Sequence, residues 1–262
     1  MALQNNKSLG QNWLKNRVIL DEIAEIAADN SSLEEEENRL CLEIGPGLGT
    51  LTSSLLRVFP KVLAIEFDKK LADNLPKSFP GKNLEVKNMD FLKFDLRNIK
   101  EPYVVAGNIP YYITSPIIQK LVKTDNKPER IVLLIQKEVA ERIVAKEGKH
   151  TVLSLMVQNY TRVSLGPVVS REEFVPAPKV DSQVIILDPL DAPVIPEATF
   201  ALIKRGFSAP RKKLIKNLGQ ISKDDLLKAF TEIGISVNAR PADLSLKEWQ
   251  KLDSFFSCQS QA

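Results

Sequence analysis

The feature that most constrains the fold is a regular alternation of short apolar, β-branched runs with segments of helical spacing, which continues to about Asp188. Such runs, bounded by turn residues, predict five buried strands: Leu40–Ile44, Lys61–Glu66, Leu84–Lys87, Tyr103–Ala106 and Ile131–Ile135. The segments between them predict helices: Leu48–Phe59, Lys69–Ser78, Ser115–Lys123 and Lys137–Lys146. This alternation predicts an α/β fold, with a parallel sheet and helices on both of its faces. The later run Ser182–Leu187 predicts one more strand, antiparallel at the edge of the sheet.

The pattern changes after three prolines that mark a linker, Pro189, Pro193 and Pro196. Beyond them the strand signal disappears, and helical spacing predicts four helices: Ala198–Phe207, Lys212–Leu218, Lys223–Ile233 and Leu246–Phe256. The length of 262 residues is close to the size at which a single core stops growing. We therefore expect two domains, an α/β domain over residues 1–189 and a small all-helical domain over residues 190–262.

Composition excludes several classes of protein. Apolar residues make up 44% of the chain and charged residues 26%, as in average soluble proteins, which argues against disordered and fibrous classes. The longest unbroken apolar run, Ile131–Ile135, is far too short to cross a bilayer. The first residues contain no apolar core of a signal peptide, and two cysteines cannot form a disulfide framework. These features predict a soluble, cytoplasmic protein.

The net charge of +3 is too small by itself to indicate a nucleic-acid partner, but its distribution is uneven. The whole surplus lies after Leu190, where 11 basic residues face 8 acidic ones. Six of these basic residues follow one another with no acidic residue between them: Lys204, Arg205, Arg211, Lys212, Lys213 and Lys216. This basic cluster is either a solvated helix face or a patch that binds phosphates.

A glycine-rich loop is the sharpest local signal for a binding site. Residues Glu43–Gly49 (Glu-Ile-Gly-Pro-Gly-Leu-Gly) follow the first predicted strand and open a helix that Thr50 or Thr52 is expected to cap. Glycines at such a turn let a ligand press against main-chain atoms. The spacing differs from the Gly-x-Gly-x-x-Gly of dinucleotide sites, and Glu43 suits a ligand with cationic groups better than a diphosphate.

Two acidic residues follow the next two predicted strands. Glu66 ends the second strand, where a carboxylate can accept hydrogen bonds from both ribose hydroxyls of a nucleoside. Asp90 follows the third strand, where it can accept a hydrogen bond from an adenine amine. The carboxyl edge of an open parallel sheet is where ligands bind, so the loop and both acids predict one nucleoside site.

The fourth predicted strand runs into Gly107–Tyr112 (Gly-Asn-Ile-Pro-Tyr-Tyr). A structural turn accounts for the asparagine and the proline but needs no aromatic pair behind them. The segment suits a planar amine, since the Asn108 side-chain oxygen and a backbone carbonyl beside Pro110 can accept its two N–H bonds while Tyr111 stacks on the ring. Accepting both bonds takes the nitrogen lone pair out of conjugation and directs it at an electrophile.

These motifs carry a resemblance when they are read together with Gly10–Leu14 (Gly-Gln-Asn-Trp-Leu), Phe174–Ser182 (Phe-Val-Pro-Ala-Pro-Lys-Val-Asp-Ser) and Phe207–Leu218. In order and spacing the chain resembles the small-subunit ribosomal RNA adenine N6,N6-dimethyltransferases, the Dim1-type family that includes the bacterial kasugamycin-sensitivity methylase. The likeness covers roughly residues 8–250. It implies a Rossmann-like class I methyltransferase sheet with a helical C-terminal domain that binds rRNA, here through the basic cluster.

The resemblance implies S-adenosylmethionine as the cofactor and assigns residues to it. Asn12 and Leu14 would close over the cofactor, and Gly45 and Gly47 would face its methionine part. By the same resemblance, Glu66 would bind the ribose of the cofactor and Asp90 its adenine, and Asn108 would lie between cofactor and substrate. Pro110 and Tyr111 would contact the target amine, and Phe174 would stack on the target adenine opposite Tyr111. The implied substrate is two adjacent adenosines in the loop of the 3′-terminal helix of small-subunit rRNA, each methylated twice. A monomer acting on a pre-assembled small subunit is expected, with no metal and no membrane.

The sequence departs from the family pattern at two places. Trp13 replaces a usual phenylalanine, and His150-Thr151 replaces a usual Tyr-Gly. His150 is the only histidine, but methyl transfer from a sulfonium needs no base to make the amine nucleophilic.

Three other functions stay open at this point. Macrolide-resistance dimethylases share the first four motifs but act on large-subunit rRNA; the Phe174–Ser182 segment and the basic C-terminal domain favour the small-subunit enzyme. Erosion of the Asn-Ile-Pro-Tyr tetrad or of Glu66 would suggest a non-catalytic rRNA-binding assembly factor or a transcription-factor relative that kept the fold, and both features are intact. An NAD-dependent oxidoreductase is disfavoured by the glycine spacing.

Overall fold

The computed structural model describes residues 11–29 and 39–259, with side chains as far as Ser257, so Gly10 and the Cys258 side chain lie outside its description. Nine strands occur in the described residues: β1 (Trp13–Leu14), β2 (Leu40–Ile44), β3 (Lys61–Glu66), β4 (Leu84–Asn88), β5 (Tyr103–Asn108), β6 (Ile131–Gln136), β7 (Thr161–Val169), β8 (Phe174–Val175) and β9 (Ser182–Pro189). Ten α-helices accompany them: α1 (Arg17–Ala28), α2 (Thr50–Val58), α3 (Lys69–Ser78), α4 (Thr114–Val122), α5 (Lys137–Ile143), α6 (Val152–Tyr160), α7 (Phe200–Gly206), α8 (Leu214–Asn217), α9 (Lys223–Ile233) and α10 (Leu246–Gln259).

Seven strands form one sheet in the order β4-β3-β2-β5-β6-β9-β7. The five strands from β4 to β6 are parallel, and β9 is antiparallel to β6. The central strands β2, β5 and β6 are buried almost throughout and consist mainly of apolar and β-branched residues, as packing on both faces requires. The carboxyl ends of β2, β3, β4 and β5 therefore meet at one edge of the sheet. The predicted Rossmann-like α/β sheet and its five parallel strands are confirmed.

The structure corrects two expectations and adds a second sheet. The antiparallel strand β9 is the second strand from the edge, because β7, which the sequence analysis did not predict, occupies the edge itself. The helix after the glycine loop is capped neither by Thr50 nor by Thr52: its N-cap is Gly49, at φ +84° and with no side-chain cap. A small second sheet pairs β1 with β8, with Trp13 opposite Val175 and Leu14 opposite Phe174.

Helix α1 is a further element that the sequence analysis did not predict. Its N-cap Asn16 accepts hydrogen bonds from the backbone N–H groups of Val18 and Ile19. Its buried side chains recur at helical spacing and join the apolar core under the sheet, which they share with β2, β5 and β6: Leu20, Ile23, Ala24 and Ala27.

The contacts divide the chain into two compact units, Met1–Ala140 with Arg162–Pro189, and Glu141–Thr161 with Leu190–Ala262. The predicted domain boundary put 141–161 in the first domain, whereas this segment packs with the C-terminal residues. The reason is hydrogen bonding: the Asn159 side chain binds both the backbone N–H and the carbonyl of Ile195, at 2.8 and 3.2 Å. The second unit contains α6 to α10 and forms its own core around the fully buried Trp249 and Phe230. No helix within 11–29 and 39–259 has the length and apolar character needed to span a membrane.

Candidate active site

A cavity of about 250 Å³ opens at the carboxyl edge of the sheet in the first unit. Its lining comes from the segment before α1, the ends of β2, β3 and β5, and the turns behind β4 and β5. Eight of the predicted site residues line it: Asn12, Gly45, Gly47, Glu66, Asp90, Asn108, Pro110 and Tyr111. Their assigned roles in binding and catalysis stay predictions, and the geometry below states what each can do.

The three glycines of the loop serve two different purposes. All have positive φ, which side chains rarely adopt. A Cβ on Gly45 would meet nothing within 4 Å, so the main chain here faces open cavity. A Cβ on Gly47 would lie 3.0 Å from the indole Nε1 of Trp13, and one on Gly49 would lie 2.6 Å from Leu75. Only Gly45 leaves room for a ligand against the backbone; the other two glycines let neighbouring side chains pack.

The Glu66 carboxylate ties the loop to the end of β3. One oxygen accepts the backbone N–H of Gly47 at 3.0 Å, and the other accepts the N–H of Asp68 at 2.8 Å. The side chain is only 5% exposed, and burial raises its pKa while these two hydrogen bonds oppose the rise. Each oxygen keeps a second lone pair, so the carboxylate can still accept hydrogen bonds from a ligand.

Glu43 also lines the cavity, in agreement with its expected place in the glycine-rich binding loop. Its carboxylate is 1% exposed, and its Oε2 has no hydrogen-bond partner among the described residues. Burial raises its pKa to about 8, and the nearby Glu66 adds to the rise. A cation bound in the cavity would favour the ionised form of this carboxyl group, since its positive charge offsets the solvation that burial removed.

Asp90 forms the part of the cavity wall that follows β4. It caps a short 3₁₀ turn, Phe91–Lys93, by accepting the backbone N–H of Leu92 at 2.9 Å. Asn88, at the end of β4, donates to the carbonyls of Glu66 and Phe67 and so joins the ends of β3 and β4. The half-buried carboxylate of Asp90 therefore stands on a fixed turn beside the end of β3.

Asn108 ends β5, and its side chain has a defined orientation. Its Nδ2 donates to the backbone carbonyl of Asn12 at 3.0 Å, so its Oδ1 remains available as an acceptor. Behind it, the Tyr111 hydroxyl forms a hydrogen bond with Ser182 Oγ at 2.8 Å, and burial raises the Tyr111 pKa. Ser182 belongs to the predicted Phe174–Ser182 motif, which thus anchors the aromatic ring of the cavity wall.

Two predicted site residues do not line the cavity. Leu14 is fully buried, and Phe174 is 2% exposed; both belong to the apolar core. Phe174 is therefore buried in this structure, within the β1–β8 pairing, and its role on the face of the target base opposite Tyr111 stays a prediction. Leu14 can therefore contribute to the cavity only by holding its neighbours Asn12 and Trp13, both of which line the cavity.

The basic cluster lies in the second unit. Lys204 and Arg205 are in α7, Arg211 and Lys212 lie in the following turn, Lys213 is the N-cap of α8, and Lys216 is in α8. All six side chains are exposed, and none forms an ion pair with an acidic residue of the described chain. The predicted helix over 212–218 is shorter than expected, because the Arg-Lys-Lys stretch forms its turn and cap.

Sequence reasoning missed several lining residues. Trp13, Phe67 and Tyr112 stand next to predicted site residues and line the cavity, so adjacency to Asn12, Glu66 and Tyr111 was the available signal. His150, in the second unit, is buried and donates its backbone N–H to Ala242. It does not line the cavity, which agrees with a structural role.

Known proteins resemble the chain over nearly all of its length. The family model described as ribosomal RNA adenine dimethylase matches residues 2–257. A curated relative from Dehalococcoides mccartyi, named ribosomal RNA small subunit methyltransferase A, is 37% identical and covers 96% of this chain and 88% of its own. A solved dimethyladenosine transferase from Plasmodium falciparum is 29% identical at a TM-score of 0.78, covering 94% and 98% of the two chains. The 23S rRNA methyltransferase ErmE is 27% identical at a TM-score of 0.74, covering 94% and 99%.

The raised pKa of Glu43 predicts a pH dependence of stability. Between about pH 4.5 and pH 8 the folded protein keeps a proton that the unfolded chain has lost, so the free energy of unfolding should fall as pH rises through this window. Glu43→Gln keeps the shape without titrating. It should flatten this slope and make the protein more stable than wild type at pH 8, by up to a few kcal/mol.

Urea unfolding at pH 5.5, 6.5 and 8 measures this effect. Glu85→Gln, which changes an exposed carboxylate on β4, is the matched control and should keep the wild-type slope. Parallel stability curves for wild type and Glu43→Gln would show that Glu43 titrates normally.

Proposed function

The chain belongs to the ribosomal RNA adenine dimethylase family, and on this premise we propose that it transfers methyl groups from S-adenosylmethionine to the N6 atoms of adenines in small-subunit rRNA. The observation that carries the proposal is the convergence of four strand ends on one cavity. These strand ends bring together the exposed main chain at Gly45, the Glu66 carboxylate, which can accept hydrogen bonds from ribose hydroxyls, and the oriented acceptor oxygen of Asn108. The relatives named small subunit methyltransferase A indicate the rRNA.

The residues of the cavity fit S-adenosylmethionine. Gly45 offers open space against the main chain, and Glu66 keeps free lone pairs for ribose hydroxyls. The unpartnered, buried oxygen of Glu43 suits a ligand with cationic groups. Asp90 lies on its turn where a carboxylate can accept from an adenine amine. When bound, the cofactor supplies a methyl group on a sulfonium, which is electrophilic without help from a metal or base.

The chain's own contribution is alignment and polarisation. The lone pair of adenine N6 is delocalised into the ring, so the amine is a poor nucleophile until its N–H bonds are held. Asn108 Oδ1 accepts one N–H bond, because its Nδ2 is committed to the Asn12 carbonyl. A backbone carbonyl beside Pro110 accepts the other, and the Tyr111 ring, fixed by Ser182, stacks on the base. Orientation of this kind is worth up to roughly 7–11 kcal/mol in well-aligned reactions.

The finer parts of the proposal concern the substrate. The target base must leave its stack to enter the cavity, which favours an exposed loop. We infer that the targets are the two adjacent adenosines in the loop of the 3′-terminal helix, each methylated twice. The protein acts as a monomer on a pre-assembled small subunit in the cytoplasm, and the basic cluster of the second unit binds rRNA phosphates.

The function predicts which ribosomal subunit is labelled. With radiolabelled S-adenosylmethionine and unmethylated subunits, the protein should label small subunits and not large ones, and digestion should release N6,N6-dimethyladenosine.

The substitution Asn108→Ala should lose most of the methylation rate at saturating substrate and retain cofactor binding, since the Asn108 amide serves the reacting amine.

Labelling of large subunits would favour the activity named for ErmE, to which the chain is also similar. Comparable turnover of Asn108→Ala and wild type would remove Asn108 from the reaction.

The basic cluster predicts salt-dependent binding to the small subunit. Each cation that neutralises a phosphate releases counterions, so affinity should fall steeply with salt. Reversing Arg211, Lys212 and Lys213 to glutamate should weaken binding and flatten the salt dependence, while cofactor affinity stays at the wild-type value. The reason for the second result is that every lining residue in the described part of the chain lies between Gln11 and Ile113.

The control variant reverses Lys223, Lys228 and Lys251, which are equally exposed in the same unit and change the net charge by the same amount. Equal loss of affinity in the two triple variants would indicate a general charge effect, and no loss in the first would indicate a solvated face.

A further inference from the structure

Two aromatic side chains project into solvent at the cavity. Among the large hydrophobic side chains that are exposed in the described residues, Phe67 and Tyr112 are the only aromatic ones, at 61% and 62% exposure. Both line the cavity, together with the exposed Leu92. The exposed apolar groups elsewhere are valines and one leucine, none of which lines it. Exposed aromatic rings at the rim of a binding site favour contacts with a ligand.

The two rings stand at different ends of the site. Phe67 follows Glu66 at the end of β3, and Tyr112 follows Asn108 and Pro110 at the end of β5. Strand β2 lies between β3 and β5, so the two strand ends are about 10 Å apart. Phe67 therefore belongs to the ribose side of the cavity, and Tyr112 belongs to the side where Asn108 receives the target amine.

The backbone under Tyr112 is well anchored, although its ring is not. Tyr112 is the middle residue of the 3₁₀ turn Tyr111–Ile113, in which Ile113 donates its N–H to the Pro110 carbonyl at 3.2 Å. The residue before it is held by the hydrogen bond from the Tyr111 hydroxyl to Ser182. Within the described chain, the Tyr112 side chain forms no hydrogen bond or ring contact. A large ring is thus presented to solvent from a rigid turn.

We propose that the Tyr112 ring stacks on the nucleotide base next to the target adenine in the rRNA strand; this inference rests on the proposed function. When one base leaves its stack to enter the cavity, each neighbour loses a stacking partner. A fixed aromatic ring at the mouth replaces the lost partner, and such stacking tolerates any base because every base has a π-face. Tyr112 is then a substrate-binding residue distinct from Tyr111, whose ring faces the target base itself.

The test compares Tyr112→Ala with Tyr112→Phe in methylation of unmethylated small subunits. Tyr112→Ala should raise the KM for the subunit about tenfold, within the usual range for a lost aromatic–base stack. Tyr112→Phe keeps the ring and should match wild type. The affinity for S-adenosylmethionine should be unchanged in both variants. Leu165→Ala, which removes an exposed apolar side chain away from the cavity, is the control and should change neither value.

A second measurement locates the contact on the RNA. Unmethylated small subunits reconstituted with an abasic site in place of a base that flanks the target adenines should bind wild type more weakly than intact subunits do. The same change should have little effect on Tyr112→Ala, because the stacking partner is already absent.

Two results would overturn the proposal. One is a wild-type KM for Tyr112→Ala, and the other is a matching loss of cofactor affinity, which would make Tyr112 part of the cofactor wall. Failure of the proposed function is distinguishable, since wild type would then methylate no small subunit at all.

Discussion

The site depends on the Glu66 carboxylate, which is buried at the end of β3 and binds the main chain on both sides of it. Its hydrogen bond to Gly47 fixes the glycine loop that follows β2, and its bond to Asp68 fixes the turn into α3. Burial works against the ionised form and raises the pKa of Glu66, and the two N–H donors oppose this rise. Without this carboxylate the loop loses the side-chain hydrogen bond that joins Gly47 to the end of β3. A ligand in the cavity would also lose a carboxylate acceptor.

A second constraint couples the segment before α1 to the Asn108 side chain. The Asn12 carbonyl holds the amide of Asn108, and the β1–β8 pairing holds the chain next to Asn12. The amide orientation that exposes Oδ1 therefore depends on a strand pair more than 60 residues away along the chain. Ser182 acts in the same way on the Tyr111 ring. The Phe174–Ser182 motif thus serves the site by supporting residues that line the cavity, in addition to any direct contact with RNA.

Sequence reasoning predicted the elements that carry a strong local signal. Four of the five parallel strands are buried and read as apolar runs, whereas the edge strand β4 is half-buried to exposed. The predicted bounds of all five agree with the structure to within two residues. Strand β7 was missed because Gly166-Pro167 interrupts its pattern, and an edge strand tolerates such a proline. Helix α6 was also not predicted. It begins with a capping box formed by Thr151 and Ser154, and a serine at this position is a weaker sequence signal for a helix start than the usual glutamate. The burial of Phe174 was not predictable, because it follows from strand pairing between residues far apart in sequence.

The central claim is that the cavity at the carboxyl edge binds S-adenosylmethionine through Glu66, and calorimetric titration of the cofactor tests it most directly. Wild type should bind, and Glu66→Ala should bind at least about tenfold more weakly, since hydrogen bonds to a charged acceptor contribute about 1.5–3 kcal/mol each. Asp73→Ala, an exposed carboxylate on α3, should bind as wild type does. Unchanged affinity in a folded Glu66→Ala protein would contradict the account.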